Sequence, residues 1–235
     1  MEWFLTFGIV FMAAAVQAGT GFGFAILAIP LLLSVYHDHS AISAALLLSL
    51  VSSFSTLPRV YRDIDWRLLR VLLIGSLIGL PLGGLLFWLM NVYWLKIAAG
   101  IAILLFAVPL LMKLKLPLGK GYGIGGLSGF LGASVGMAGP PVVLLLLSRQ
   151  IEKNTFRGTS IFYYCVVNLI SLCIQWSSGH SMLSGMSYVL TTFPAVFIGQ
   201  FVGLAVSRRL NQTWFTRATF LLLMITGIQA IVTSL

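Results

Sequence analysis

The sequence predicts an all-α polytopic membrane protein made of two inverted four-segment repeats, each opening with a broken, re-entrant helix hairpin. Three observations carry that expectation. Of the 235 residues, 59% are hydrophobic and 8% are charged, where a soluble domain carries roughly 25% charged residues; mean hydropathy is +1.04. Glycine-rich patterns recur at a near-constant offset. The basic residues lie in short links that a single topology places on one side of a bilayer.

The apolar segments are 3–35, 40–57, 68–90, 94–112, 121–148, 158–176, 182–206 and 213–233. A span takes about 20 apolar residues, so eight segments fit the length. No stretch between them reads as a soluble domain. One integral-membrane unit is expected, with a first repeat over 1–118 and a second over 119–235. The net charge of +9 would suit a nucleic-acid binder, but the basic residues sit between spans, where the positive-inside effect accounts for them. The bilayer is the expected partner, and no nucleic acid is. Glu2 and the lack of a basic stretch at the start argue against a cleaved signal peptide. Cys165 and Cys173, eight apart in one apolar segment, read as packing residues rather than a disulfide or metal site.

The repeat is explicit. Gly79-Leu-Pro-Leu-Gly83, then Asn91 and Trp94, returns as Gly199-Gln-Phe-Val-Gly203, then Asn211 and Trp214, each position offset by 120. Gly19 and Gly23 align with Gly132 and Gly136 at an offset of 113. The runs holding these last glycines, 3–35 and 121–148, each contain a helix break: Gln17-Ala-Gly-Thr-Gly-Phe-Gly23 in one, Leu131-Gly-Ala-Ser-Val-Gly-Met-Ala-Gly-Pro-Pro141 in the other. If each run crossed the membrane once, the basic links would divide almost evenly between the two sides. If each is a hairpin returning to its own side, 13 of the 14 Lys and Arg share one face and Lys96 alone lies opposite. The hairpin topology is therefore expected. It inverts the second half relative to the first and places both termini outside the cytoplasm. Arms of roughly 8–16 residues, about 12–24 Å of helix, would reach part-way across the core.

At each tip a half-helix begins, its N-terminal N–H groups and positive dipole end turned toward the cavity. Pro140 or Pro141 fits the first turn of the second. Broken helices at membrane depth need a polar cavity or protein to satisfy them, and a pair of them marks a transport site. Candidate ligand-binding positions are Gln17, Gly19, Thr20, Gly21 and Gly23 in the first break, and Gly132, Ser134, Gly136, Gly139 and Pro140 in the second. Gly79, Gly83, Gly199 and Gly203 read instead as close helix packing. A polar stripe supports the site. Ser49, Ser52, Ser53 and Thr56 share one face of 40–57, and Tyr164, Asn168, Ser171 and Gln175 share one face of 158–176. Ser49, Ser52 and Thr56 align with Asn168, Ser171 and Gln175 at an offset of 119. Ser49, Ser52, Asn168 and Gln175 join the candidate site; the serines could equally bond back to their own helix.

The acids Glu2, Asp38, Asp63, Asp65 and Glu152 all fall at span ends or in links, so no buried acidic proton relay is visible. For coupling or gating the candidates are His37, Asp38 and His39, then His180, with Arg157 at the inner mouth of 158–176. Gly121-Tyr-Gly-Ile-Gly-Gly126 matches a dinucleotide fingerprint without the strand such a fingerprint needs. Asn211-Gln-Thr213 is a sequon on the expected cytoplasmic face. No catalytic group, metal site or cofactor is expected, and a homodimer is compatible with the sequence.

Gln17-Ala-Gly-Thr-Gly-Phe-Gly-Phe-Ala25, Gly129-Phe-Leu-Gly-Ala-Ser-Val-Gly-Met-Ala-Gly-Pro-Pro141, Phe156-Arg-Gly-Thr159 and Ala195-Val-Phe-Ile-Gly-Gln-Phe-Val-Gly203 with Arg208-Arg209 together resemble the TauE/SafE family of bacterial membrane permeases, over nearly the whole chain. That resemblance implies movement of sulfite, sulfonates or related sulfur anions across the inner membrane, often outward. The expected function is thus a secondary exporter of a small sulfur oxyanion, not an enzyme. A passive anion channel or a non-transporting assembly subunit is the alternative.

Overall fold

The computed structural model describes residues 2–36, 38–111, 119, 121–177 and 182–209, with side chains except at 2, 107–111, 182–188 and 207–209. His37, His180, the sequon and segment 213–233 lie outside the described residues. Among the described residues the chain is helical, without strands: α1 (Glu2–Thr20), α2 (Phe24–Tyr36), α3 (Ser40–Val60), α4 (Trp66–Leu89), α5 (Val92–Leu111), α6 (Tyr122–Val135), α7 (Gly139–Ser148), α8 (Lys153–Ser177) and α9 (Met182–Arg209). Five of these are long and apolar enough to cross a membrane.

Local chemistry sets the boundaries. The Asp65 carboxylate accepts the Arg67 and Leu68 N–H groups at 3.0 Å and starts α4. Asn91 Oδ1 accepts the Trp94 N–H at 3.1 Å and starts α5, so this Asn-Trp pair is a helix cap; its counterpart at 211 and 214 lies outside the described residues. The two expected breaks are present. Residues 21–23 separate α1 from α2, with Gly21 and Gly23 at positive φ; Gly136, at φ 76°, closes α6 before α7.

Each broken run doubles back. The Thr6 hydroxyl near the start of α1 meets the Tyr36 hydroxyl at the end of α2. Arg149, just past α7, donates to the Gly119 carbonyl, just before α6, at 3.0 Å. The arms are 19, 13, 14 and 10 residues long. α1 exceeds the expected 8–16, because helical, apolar sequence continues unbroken from Glu2 to Gly21 and nothing stops it sooner.

The packing is reciprocal. α4 lies against α6 and α1 against α9; α3 meets α9 and α8 meets α4; α3 and α8 pack on each other at the centre. Exchanging α1 with α6, α3 with α8 and α4 with α9 turns this set of pairs into itself. Glycine makes the two long seams. A Cβ on Gly79 or Gly83 would strike the α6 backbone at Gly126 and Phe130, and one on Gly199 or Gly203 would strike the α1 backbone at Phe11 and Ala15. These glycines are packing residues, as expected. Gly125 of the rejected dinucleotide match likewise seats on the α4 backbone at Leu72.

The two ends of the bundle differ. One gathers Arg59, Arg62, Arg67, Arg149, Lys153 and Arg157; there the Asp65 N–H meets the Thr159 hydroxyl at 3.0 Å, tying the α3–α4 link to α8. At the other end His39 bonds the Met90 carbonyl at 3.1 Å and stacks edge-on against Phe87.

Candidate functional site

The tips of the two hairpins meet inside the bundle around a cavity of about 20 Å³, lined by Gln17, Gly23, Phe24, Ala25, Ile26, Ser49, Gly136, Ala138, Gly139, Tyr164 and Asn168. This is room for roughly one water, so the tips are closed on each other. The first turn of α2 (Phe24, Ala25, Ile26) forms one wall and the first turn of α7 (Ala138, Gly139) another. First-turn N–H groups lack a carbonyl four residues back, and α7 has no side-chain cap. Pro140 and Pro141 follow Gly139 in that first turn and bring no N–H, so Gly139 carries the donor there. Both positive dipole ends therefore face the same small space.

The opposite, carbonyl ends of the broken helices are quenched elsewhere. Arg157 Nη2 donates to the Ala18 carbonyl at 2.7 Å, at the end of α1. Gln175 Nε2 reaches the Ala133 carbonyl at 3.4 Å near the end of α6, and the Gly136 and Met137 N–H groups close on Leu131. The cavity thus sees helix N-termini, while the negative ends are met by donors.

Side chains complete the lining. Asn168 Nδ2 donates to Ser49 Oγ at 3.1 Å, and Gln17 Nε2 donates to Ser53 Oγ at 2.9 Å. Gln17 Oε1 and the Tyr164 hydroxyl are buried with no hydrogen-bond partner among the described residues; the two residues are 2% and 6% exposed. A buried polar atom left unmatched costs about 1–3 kcal/mol, which two residues facing one cavity incur together.

Of the candidate positions, Gln17, Gly23, Ser49, Gly136, Gly139 and Asn168 line this cavity. The others lie off it. Thr20 Oγ1 turns back onto the Val16 and Phe22 carbonyls and knits the first break. Ser134 Oγ bonds Phe130 of its own helix at 2.7 Å. Gly132 faces Val167 and Ala138, and Gly21 is covered by Arg157, whose Cγ would stand 2.7 Å from a Cβ there. Gly19 and Pro140 are buried beside the tips. Ser52 Oγ accepts from Gln200 Nε2 at 2.8 Å, and Gln175 accepts from Ser43 at 2.9 Å. Asp38 is exposed at the end opposite the basic one, beside His39.

A second cavity, of about 290 Å³, opens toward the basic end and is lined by Ala18, Thr56, Arg59, Val60, Asp63, Asn154, Arg157, Gln200 and Leu204. A polar layer divides it from the tip cavity: Gln200 bonds Ser52 and Ser55, and Gln17 bonds Ser53. Gln200 was not among the candidates, although it is a strongly polar residue inside the apolar 182–206 run. Tyr164 belonged to the recognised stripe but not to the candidate list; its place one helical turn before Asn168 was the available signal. Among the described residues no group of His, Cys, Asp and Glu could hold a metal.

The family model for the sulfite exporter TauE/SafE matches residues 6–230. No curated protein and no solved structure is similar to the chain at a significant level.

Proposed function

The chain belongs to the sulfite exporter TauE/SafE family, a family of membrane transporters of sulfur anions, and on that premise we propose that it is a secondary exporter of a small sulfur oxyanion such as sulfite, bound between the two hairpin tips. The observation that carries this reading is the convergence of the first turns of α2 and α7, the latter without a side-chain cap, with Ser49, Asn168, Gln17 and Tyr164 on one buried cavity. Helix N-termini bind oxyanions through backbone N–H groups and the dipole, without a buried cation. A cavity this small must widen for an oxyanion, so binding is linked to a change in how the tips meet.

The basic end faces the cytoplasm of a bacterial inner membrane under the positive-inside effect, and the larger cavity beside Arg59 and Arg157 is the inner vestibule. The reciprocal packing supports two inverted repeats that rock around the tips to alternate access. The polar layer of Gln17, Ser53, Ser52 and Gln200 separates vestibule from site, which favours a carrier over an open pore. Sulfite counterflow in proteoliposomes tests both points. Saturable uptake driven by internal sulfite, abolished by Gly136→Leu with the protein still monodisperse, is the expected result. Uptake that grows linearly with concentration indicates a pore, and unchanged counterflow in Gly136→Leu places the site elsewhere.

A further inference from the structure

We infer that the tip cavity selects a protonated monoanion, hydrogensulfite rather than the sulfite dianion, and that the proton leaves the cell on the substrate. This rests on the reading of the cavity as the anion site and adds to it the charge and protonation state of the occupant.

The first argument is charge. Each half-helix N-terminus contributes about half a positive charge, so α2 and α7 together offer about one. No Lys or Arg lines the cavity, and the Arg157 guanidinium is turned onto the Ala18 carbonyl from the vestibule side. One negative charge is matched. A second would sit uncompensated in a buried space, where an unpaired charge is expensive.

The second argument is hydrogen bonding. The Tyr164 hydroxyl, the Gly139 N–H, the Asn168 amide and the first-turn N–H groups of α2 can donate to oxyanion oxygens. Gln17 adds an acceptor: one Nε2 hydrogen is engaged by Ser53, and the atom left unmatched is the carbonyl oxygen Oε1. A dianion has acceptors alone and would face that carbonyl oxygen with repulsion. Hydrogensulfite carries one acidic proton, which Gln17 Oε1 can accept while the remaining oxygens take the donors.

A third observation fits. Among the described residues the acids Asp38, Asp63, Asp65 and Glu152 stand at helix ends or in links, away from the tips. The chain needs no carboxylate relay if each anion brings its own proton. Hydrogensulfite passes outward as one unit and then dissociates to sulfite and a proton, so each cycle exports one proton and one negative charge.

Sulfite and hydrogensulfite interconvert near neutral pH, which makes the inference testable on the wild-type protein. Dissociation constants for sulfite, sulfate and methanesulfonate would be measured calorimetrically on the full chain in detergent at several pH values from about 6 to 9. Methanesulfonate is a monoanion at every pH used and has no acidic proton. Its pH dependence therefore reports titration of the protein's own groups around the site: Tyr164 in the lining, Tyr163 beside it, Cys165 next on α8 and Arg157 behind Gly21. The sulfite-to-methanesulfonate ratio of constants is expected to rise about tenfold per pH unit once hydrogensulfite is the minor species, and sulfate is expected not to bind. Gln17→Ala is expected to erase the preference for sulfite over methanesulfonate at pH 6, read as the ratio of the two constants in the variant against the same ratio in the wild type. A ratio that stays flat or falls with pH, or sulfate binding as well as sulfite, overturns the inference while leaving the anion site standing. No binding of any of the three anions at any pH overturns the anion site as well.

Discussion

Asn168 donates a hydrogen bond to Ser49 at 3.1 Å, and the two residues are 119 positions apart, the offset that aligns the polar stripes of the two halves. Each therefore touches its own counterpart. Corresponding positions of two copies meet only beside the operator that relates them. The α3–α8 contact is where an axis between the repeats would run, and the tip cavity is lined by both residues of the pair. A site on such an axis is reached equally from either half, which suits the proposed alternation of the two halves around a fixed ligand.

That contact predicts measurable coupling. Ser49→Ala and Asn168→Ala, alone and together, are expected to show a coupling energy of about 0.5–1.5 kcal/mol in unfolding experiments in detergent, the worth of an ordinary buried hydrogen bond. Both single variants should also weaken sulfite binding. Additive losses would mean that the two side chains act independently.

The glycine seams predict paired damage. Gly79→Ala and Gly203→Ala each drive a methyl into a backbone carbonyl of the facing helix, and close-packed backbones cannot move aside cheaply. Each is expected to destabilise by about 3 kcal/mol or more, among the larger single-residue effects. Gly8→Ala and Gly123→Ala, with nothing within 4 Å of the added carbon, should stay within about 0.5 kcal/mol. Yield and melting temperature in detergent would read the contrast, and equal effects at all four positions would dismiss the seams.

Much of this architecture is legible in the sequence, because membrane helices must satisfy their own backbone and so write their limits as apolar length. Segments 40–57, 68–90 and 94–112 fall within a few residues of α3, α4 and α5. The breaks are legible for the same reason: Gly21, Gly23 and Gly136 stand where an L side chain is strained, and Pro140 with Pro141 fixes where α7 starts. Side-chain direction is less legible. Thr20 and Ser134 look like ligand donors by position, but a hydroxyl on a helix can turn to its own carbonyl four residues back, and both do. Gln175 and Arg157 look like binding or gating groups; Gln175 donates to a carbonyl near the end of α6 and Arg157 to one near the end of α1, a use that depends on which helix end comes near.

Arg157 should matter through that carbonyl. Arg157→Ala would leave the Ala18 carbonyl and the negative end of α1 without their guanidinium, at a cost of about 1.5–3 kcal/mol for a hydrogen bond to a charged group. It should also weaken anion binding at the tips, because the α1 dipole is no longer offset on the vestibule side. Arg157→Lys keeps the charge but not the planar reach and is expected to fall between. Binding calorimetry with sulfite on all three proteins would show it; wild-type affinity in Arg157→Ala would limit the residue to anchoring the basic end.

The direction of the bundle in the membrane can be fixed by labelling. In a Cys165→Ser, Cys173→Ser background, single cysteines at Asp63 and Gln150 report the basic end, and ones at Asn91 and Ser177 report the other. Asp63 and Gln150 follow α3 and the second hairpin, and if the basic end is cytoplasmic both should resist a membrane-impermeant maleimide added to intact cells and react once the membrane is opened. Asn91 and Ser177 should react in intact cells. The pair at Asp63 and Gln150 is the discriminating one. They share a side when 121–148 doubles back, as the Arg149–Gly119 bond requires, because the path from Asp63 then crosses by α4, returns by α5 and stays through the hairpin. A single crossing of 121–148 would put them on opposite faces. Labelling of both from outside would keep the hairpin and invert the orientation, turning the vestibule at Arg59 and Arg157 into an outward mouth.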